Sequence, residues 1–214
     1  DMYINASNNS FYTRDKQIYE TQDYINSIFP LSLTSKKLCE YDYYFDNSFH
    51  MGEYLNIPLN NVDKWLYKFG IDYKNIDENE KYNQLDISNY KVSNSLIKKI
   101  EDARLKGKLL LFHPYSANIN KSIPQAIATT FLKELLLKAD DYIILSALQI
   151  DPKIKEDNFI DLSKESKNLN DFIYIVSCMD KIITTDTSTY HISDAFMVPT
   201  IGIFTQNDFE VKSK

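Results

Sequence analysis

Glycine is scarce, with four residues in a chain of 214. Backbone positions that need a positive φ are therefore expected to fall to Asn or Asp, which enter that region most easily after glycine. Cysteine is scarcer still. Cys39 and Cys178 are too few and too far apart for a disulfide framework or a metal cluster, and both are expected to be reduced and buried among apolar side chains. The three His are too dispersed for a zinc site, so no metal is expected. No run of 18 apolar residues occurs, so no membrane-spanning helix is expected. Positive charge is in deficit: 24 Lys and Arg stand against 30 Asp and Glu, a net charge of -6. Nucleic-acid binding depends on clustered cations, so no nucleic-acid partner is expected, although local basic groups can still hold one small anion. The sequence also lacks a Walker motif, a G-x-G-x-x-G loop and any fixed-period repeat.

An apolar fraction of 43% over this length suits one large domain or two small ones. The first part reads weakly. Met2 to Ala6 predicts a strand, Ser7 to Asp15 a polar loop, and Gln17 to Phe29 a poor helical pattern ended by Pro30. Leu38 to Phe45, rich in aromatics, predicts a strand closed by Asp46 to Ser48. Asp42 and Asp46 resemble a carboxylate pair, with solvation and turn formation as the plainer reading. Asn60 or Asn61 then caps a helix carrying Val62, Trp65, Leu66 and Phe69 on one face, ended by Gly70; Trp65 is expected in the core. From Asp72 to Lys91 the chain is polar and aperiodic, a candidate linker, which divides it into residues 1–92 and 93–214.

After the linker the periodicities sharpen. Ser93 or Asn94 caps a helix to about Lys106, with Leu96, Ile97, Ile100 and Ala103 inward and Gly107 as C-cap. Leu109 to Phe112 is a continuous apolar run of the kind buried on both sheet faces. Ser122 starts a helix with Pro124 in its first turn and Ile127, Phe131 and Leu135 as its repeat. Tyr142 to Leu145 and Phe159 to Leu162 are strands. Asn168 opens an amphipathic helix, Lys181 to Thr185 is a strand, Ile192, Ala195 and Phe196 line a further helix stopped by Pro199, and Thr200 to Phe204 is a last strand. The order from Leu109, β-α-β-β-α-β-α-β, calls for an α/β fold with a largely parallel sheet.

Two polar loops follow two buried strands. One runs from His113 to Lys121, the other from Asp186 to His191. If those strands are parallel neighbours, Ser116, Asn118, Lys121, Thr187, Ser188 and Thr189 meet at one sheet edge beside two helix N-termini, a set suited to a diphosphate. Plainer roles exist for each: Asp186 and Thr187 as helix caps, His191 as a partly buried helix residue, His113 as a loop-orienting hydrogen-bond partner, Lys121 as a surface charge.

The two loops together, LLLFHPYSANINKSIP and IITTDTSTYHISDAFMVPTIGIFT, resemble the ADP-heptose glycosyltransferases, the heptosyltransferase-like family 9 enzymes of GT-B fold. Members show an apolar strand ending in His-Pro-Gly, then a Lys, and later Asp-Thr-Gly or Asp-Thr-Ser with a His four residues after the Thr. DLSKESKNLNDFIYIVSCMD is similar to the segment leading into the second motif, while EYDYYFDNS and NNVDKWLYKFGID are thinner matches in the first lobe. Tyr115 replaces the usual Gly after His-Pro, Ser188 stands where many members have Gly, and Ile123 replaces a Trp. The Gly-Asp loop that bears the family's base is not found, which fits a chain lacking its N-terminus.

The resemblance implies a GT-B-like fold: a Rossmann-like donor lobe over 93–214, itself truncated, and a partial N-terminal α/β lobe over 1–92. It implies a nucleotide-sugar donor, ADP-linked by preference with UDP or GDP as options, and no other cofactor. Donor contacts are implied at His113, Ser116, Asn118, Lys121, Asp186, Thr187, Ser188, Thr189 and His191, with Lys121 stabilising the leaving diphosphate and the base unassigned. The acceptor would be a glycan, a lipid-linked saccharide such as lipopolysaccharide, or a protein. A bacterial cytoplasmic location follows from the same resemblance, with peripheral association at the inner membrane as an option. An inert binding module and a nucleotide-sugar epimerase of the same fold remain as alternatives.

Overall fold

The computed structural model describes residues 1–44 and 57–205. Strand β1 (Met2–Ile4) pairs in parallel with β2 (Ile28–Pro30), and helix α1 (Asn9–Tyr19) connects them. Helix α2 (Ser35–Leu38) and α3 (Asn61–Lys68) follow. The larger unit runs α4 (Asn94–Arg104), β3 (Lys108–His113), α5 (Gln125–Lys138), β4 (Tyr142–Ser146), β5 (Phe159–Asp161), α6 (Leu169–Ser177), β6 (Lys181–Thr185), α7 (Ser188–Ala195) and β7 (Thr200–Ile203). The β-α-β-β-α-β-α-β order expected from Leu109 onward is the order found.

The five strands β3 to β7 form one parallel sheet in the order β5-β4-β3-β6-β7. Alternation along β3 sends Leu109 and Leu111 to one face and Leu110 and Phe112 to the other. The first face packs against Leu96 and Ile100 of α4, Ile173 and Val176 of α6 and Ile192 of α7. The second packs against Ala128, Leu132 and Leu136 of α5. Burial on both faces is why β3 is apolar from Leu109 to Phe112 and buried beyond its first residue, Lys108.

Several expectations fail for identifiable reasons. Residues 7–15 are not a loop: Asn8 caps α1 by accepting from the N–H groups of Ser10 and Phe11, and no residue of the helix is fully buried, so its sequence shows no apolar stripe. Residues 17–29 are not one helix, since α1 ends at Tyr19 and Ile28 begins β2. Leu38 closes α2, and 39–44 lie outside any strand; the remainder of that predicted strand falls outside the described residues, as does Asp46, while Asp42 is exposed. Trp65 is half-buried, stacked on Phe69 with the Lys68 ammonium over its ring, rather than in the core.

On α5 the inward stripe is shifted by one residue. Ile127 and Phe131 are 58% and 38% exposed, and Ala128, Leu132 and Leu136 are buried. Both stripes are apolar, so periodicity alone did not separate them. Pro124, not Ser122, occupies the N-cap position of α5. Gly107 has no left-handed φ; a Cβ there would lie 3.3 Å from the Asp141 carbonyl oxygen, so close approach explains it. Among the described residues the one non-glycine with positive φ is Met197, at 51°, at the end of α7, and not an Asn or Asp. Cys39 is exposed rather than buried, and both cysteines are free.

Residues 73–80 hold two short 3-10 turns, each begun by an aspartate cap, Asp72 and Asp77. Leu85, Ile87, Tyr90 and Val92 pack on the core beneath α4 and α6. Gln22, 2% exposed, joins α1 to this segment: its carbonyl accepts from the Asp86 N–H at 2.9 Å and its amide donates to the Asp86 and Ile18 carbonyls.

Candidate functional site

The strand order reverses at β3. From β3 the chain moves outward through β4 to β5 and then returns through α6 to β6, on the other side of β3. The carboxyl ends of β3 and β6 therefore flank the switch point, where open α/β sheets leave a crevice for ligands. Their register pairs His113 with Thr184, so the loops after both strands leave the sheet at the same level.

The first loop is a stapled turn. Asn118 caps a 3-10 turn at Ile119–Lys121 by accepting from the Asn120 N–H. Ser122, which was expected to begin a helix, instead accepts from the Ser116 N–H at 2.8 Å and donates to the Ser116 carbonyl at 3.1 Å. Ser116 in turn accepts from the Asn118 N–H. From the far side, the Thr205 hydroxyl at the end of β7 donates to the Asn120 carbonyl at 2.7 Å. These bonds present Lys121 from a fixed backbone.

The second loop is only two residues long, Asp186 and Thr187, because α7 begins at Ser188. Thr187 is the N-cap, its hydroxyl accepting from the Thr189 N–H at 3.1 Å. Ser188 is exposed and Thr189 is fully buried. Across the crevice the Lys121 Nζ lies 2.8 Å from the Asp186 Oδ2. The structure thus brings Lys121, Asp186, Thr187 and Ser188 to one place from two strands. His191 stands on the outer side of α7, exposed and edge-on to Tyr190, not partly buried as read from the sequence. Ser116 and Asn118 serve bonds within their own loop.

His113 ends β3 beneath the crevice, 7% exposed, with its ring 5.2 Å from that of Phe172. Burial pushes its pKa down to about 4, so it is a neutral imidazole near pH 7. Its Nδ1 has no hydrogen-bond partner among the described residues, and neither do the Thr185 and Thr189 hydroxyls or that of Tyr115. Such a concentration of unanswered buried polar atoms at one sheet edge is unusual in a folded protein.

Sequence reading did not single out Thr184 or Tyr190. Thr184 donates to the His113 carbonyl at 3.0 Å and lies 3.4 Å from the Thr187 hydroxyl, linking the two loops. The signal for it was two threonines closing an otherwise apolar strand. Tyr190 stands edge-on to Phe204 at 5.8 Å beside Gly202, whose missing side chain leaves room for both rings.

An ammonium, a helix N-terminus and two hydroxyl residues around one crevice can hold an anionic group. Residues 159–211 match the family described as Glycosyltransferase family 9 (heptosyltransferase). The matched segment begins at β5 and takes in α6, β6, the Asp186–Thr187 turn, α7 and β7, so the family 9 resemblance read from the second motif holds there. The His113 to Pro124 loop lies before the matched residues. Neither a curated protein nor a solved structure matches the chain. Among the described residues no helix is long and apolar enough to cross a membrane.

Proposed function

We propose that the crevice between β3 and β6 binds the diphosphate of a nucleotide-sugar, and that residues 93–214 are the donor-binding lobe of a glycosyltransferase whose acceptor side includes residues 1–92. The observation that carries this reading is the meeting of Lys121 with the Asp186 to Ser188 turn at the switch point of the sheet, inside a chain with a family 9 segment. An ADP-sugar is the favoured donor, with UDP- and GDP-sugars as the alternatives, and a heptose is the favoured sugar. The acceptor is a glycan, a lipid-linked saccharide or a protein, met in the cytoplasm or at the inner face of a membrane.

In this scheme an acceptor hydroxyl attacks the anomeric carbon. The new C–O bond forms as the bond to the diphosphate oxygen breaks, and the hydroxyl proton passes to a base not yet assigned. Charge grows on the departing diphosphate, where Lys121 and the N–H groups at the start of α7 are placed to stabilise it. His113, neutral and buried, contributes shape and hydrogen bonding rather than charge. No metal is needed for these steps.

Isothermal calorimetry with ADP, UDP, GDP and their sugar conjugates tests the reading. Binding that disappears in Lys121→Met supports it; absence of binding by every nucleotide overturns it. A binding module without transfer is the second reading, favoured by the lack of any Gly-Asp pair in the sequence. Sugar transfer that is lost in Lys121→Ala excludes that alternative.

A further inference from the structure

We infer that Asp186 is a positioning residue whose task is to hold the Lys121 ammonium in place at the switch-point crevice before any ligand arrives. The inference rests on the proposed reading for what the ammonium then does, but the clamp itself is argued from the fold.

Lys121 comes from the loop after β3 and Asp186 from the loop after β6, so their contact is a link between two loops. The Nζ to Oδ2 separation of 2.8 Å is that of a charge-assisted hydrogen bond. The two side chains differ in exposure: 10% for Asp186 and 29% for Lys121. The carboxylate is thus the fixed partner, set on the two-residue connection between β6 and α7, and the ammonium is the more open one. A free lysine side chain carries much rotamer entropy, and a ligand that had to order it would bind more weakly for that reason. Here the ordering precedes binding. An ammonium has several N–H donors, so a bond to Asp186 is compatible with donation to an incoming anion. Thr187, next in sequence, caps α7 and holds the backbone that carries Asp186. On the other side the Ser116 to Ser122 staple and the Thr205 to Asn120 bond hold the backbone that carries Lys121.

Two measurements on the full chain test this. The first needs no nucleotide: the acetylation rate of Lys121 by limiting acetic anhydride, read by mass spectrometry with the exposed Lys98 as internal reference. Lys121 is expected to react several-fold more slowly than Lys98, and Asp186→Ala is expected to remove that protection, while Asp186→Asn, which keeps an acceptor, restores part of it. Equal rates in the parent protein and Asp186→Ala overturn the clamp. The second is a double-mutant cycle in ADP affinity. Asp186→Ala is expected to weaken ADP binding about tenfold, and the effect is expected to vanish in a Lys121→Met background. A weakening that persists without Lys121, or a gain in affinity on losing the carboxylate, overturns the positioning role. If the parent protein binds no nucleotide, the diphosphate reading fails, and the acetylation result alone decides whether the clamp exists.

Discussion

The Thr184 hydroxyl donates to the His113 carbonyl at 3.0 Å, across the register that pairs these two residues at the ends of β6 and β3. One strand follows α4 and the other follows the α6 crossover, and this side-chain bond joins the last residue of β3 to the penultimate residue of β6. Thr184→Val keeps the shape and removes the donor. It is expected to destabilise the protein by about 1 kcal/mol in urea titrations, and to weaken nucleotide binding in proportion to the loosened loops.

His113 makes stability depend on pH. Its pKa is about 4 in the folded protein and 6.5 when solvated, so below pH 6.5 the unfolded chain takes up a proton that the folded one refuses. Stability is then full above 6.5 and falls as the pH drops toward 4, by on the order of 3 kcal/mol. The urea midpoint followed from pH 7 to pH 4.5 checks this, with His113→Gln expected to flatten the decline. Losses from carboxylates with depressed pKa values, such as Asp86, set in lower, as the pH falls through their own range.

Helix α5 offers a test of its rotated stripe. Leu132→Ala removes a fully buried side chain and is expected to cost about 3 kcal/mol. Ile127→Ala, at a position 58% exposed, is expected to cost less than about 1 kcal/mol. Equal costs would contradict the rotated stripe, and a larger cost at Ile127 would return the inward face to Ile127, Phe131 and Leu135.

Thr187 caps α7 and lies at the mouth of the proposed site. Thr187→Ala is expected to lower stability by about 1 kcal/mol. Thr187→Ser restores the cap, and is expected to restore nucleotide affinity with it.

The centre of the sheet was legible because β3 and β4 are buried on both faces: LLLF and YIIL read as uninterrupted apolar runs with the long helix α5 between them, while KIITT carries only Ile182 and Ile183 as its apolar signal. The meeting of the two loops followed from adjacency of β3 and β6, which sequence could state only as a condition. What was not legible had physical causes. Helix α1 sets Ile18 against the core but leaves Phe11 exposed, so its few apolar residues mark no continuous face, and the Asn8 cap is its clearest local signal. Aromatic density near Leu38 suggested a strand, but Thr34 instead caps a one-turn helix there. The α5 face was degenerate because residues i and i+1 of each repeat are both apolar. The ion pair of Lys121 with Asp186 joins residues 65 positions apart, beyond the reach of any local pattern.

The most direct test of the central claim is a crystal structure of the chain with ADP-sugar. Density for the diphosphate within hydrogen-bond distance of the Lys121 Nζ and the Ser188 N–H is the predicted result. A nucleotide bound away from the carboxyl ends of β3 and β6, or an ordered site left without it at saturating concentration, would contradict it.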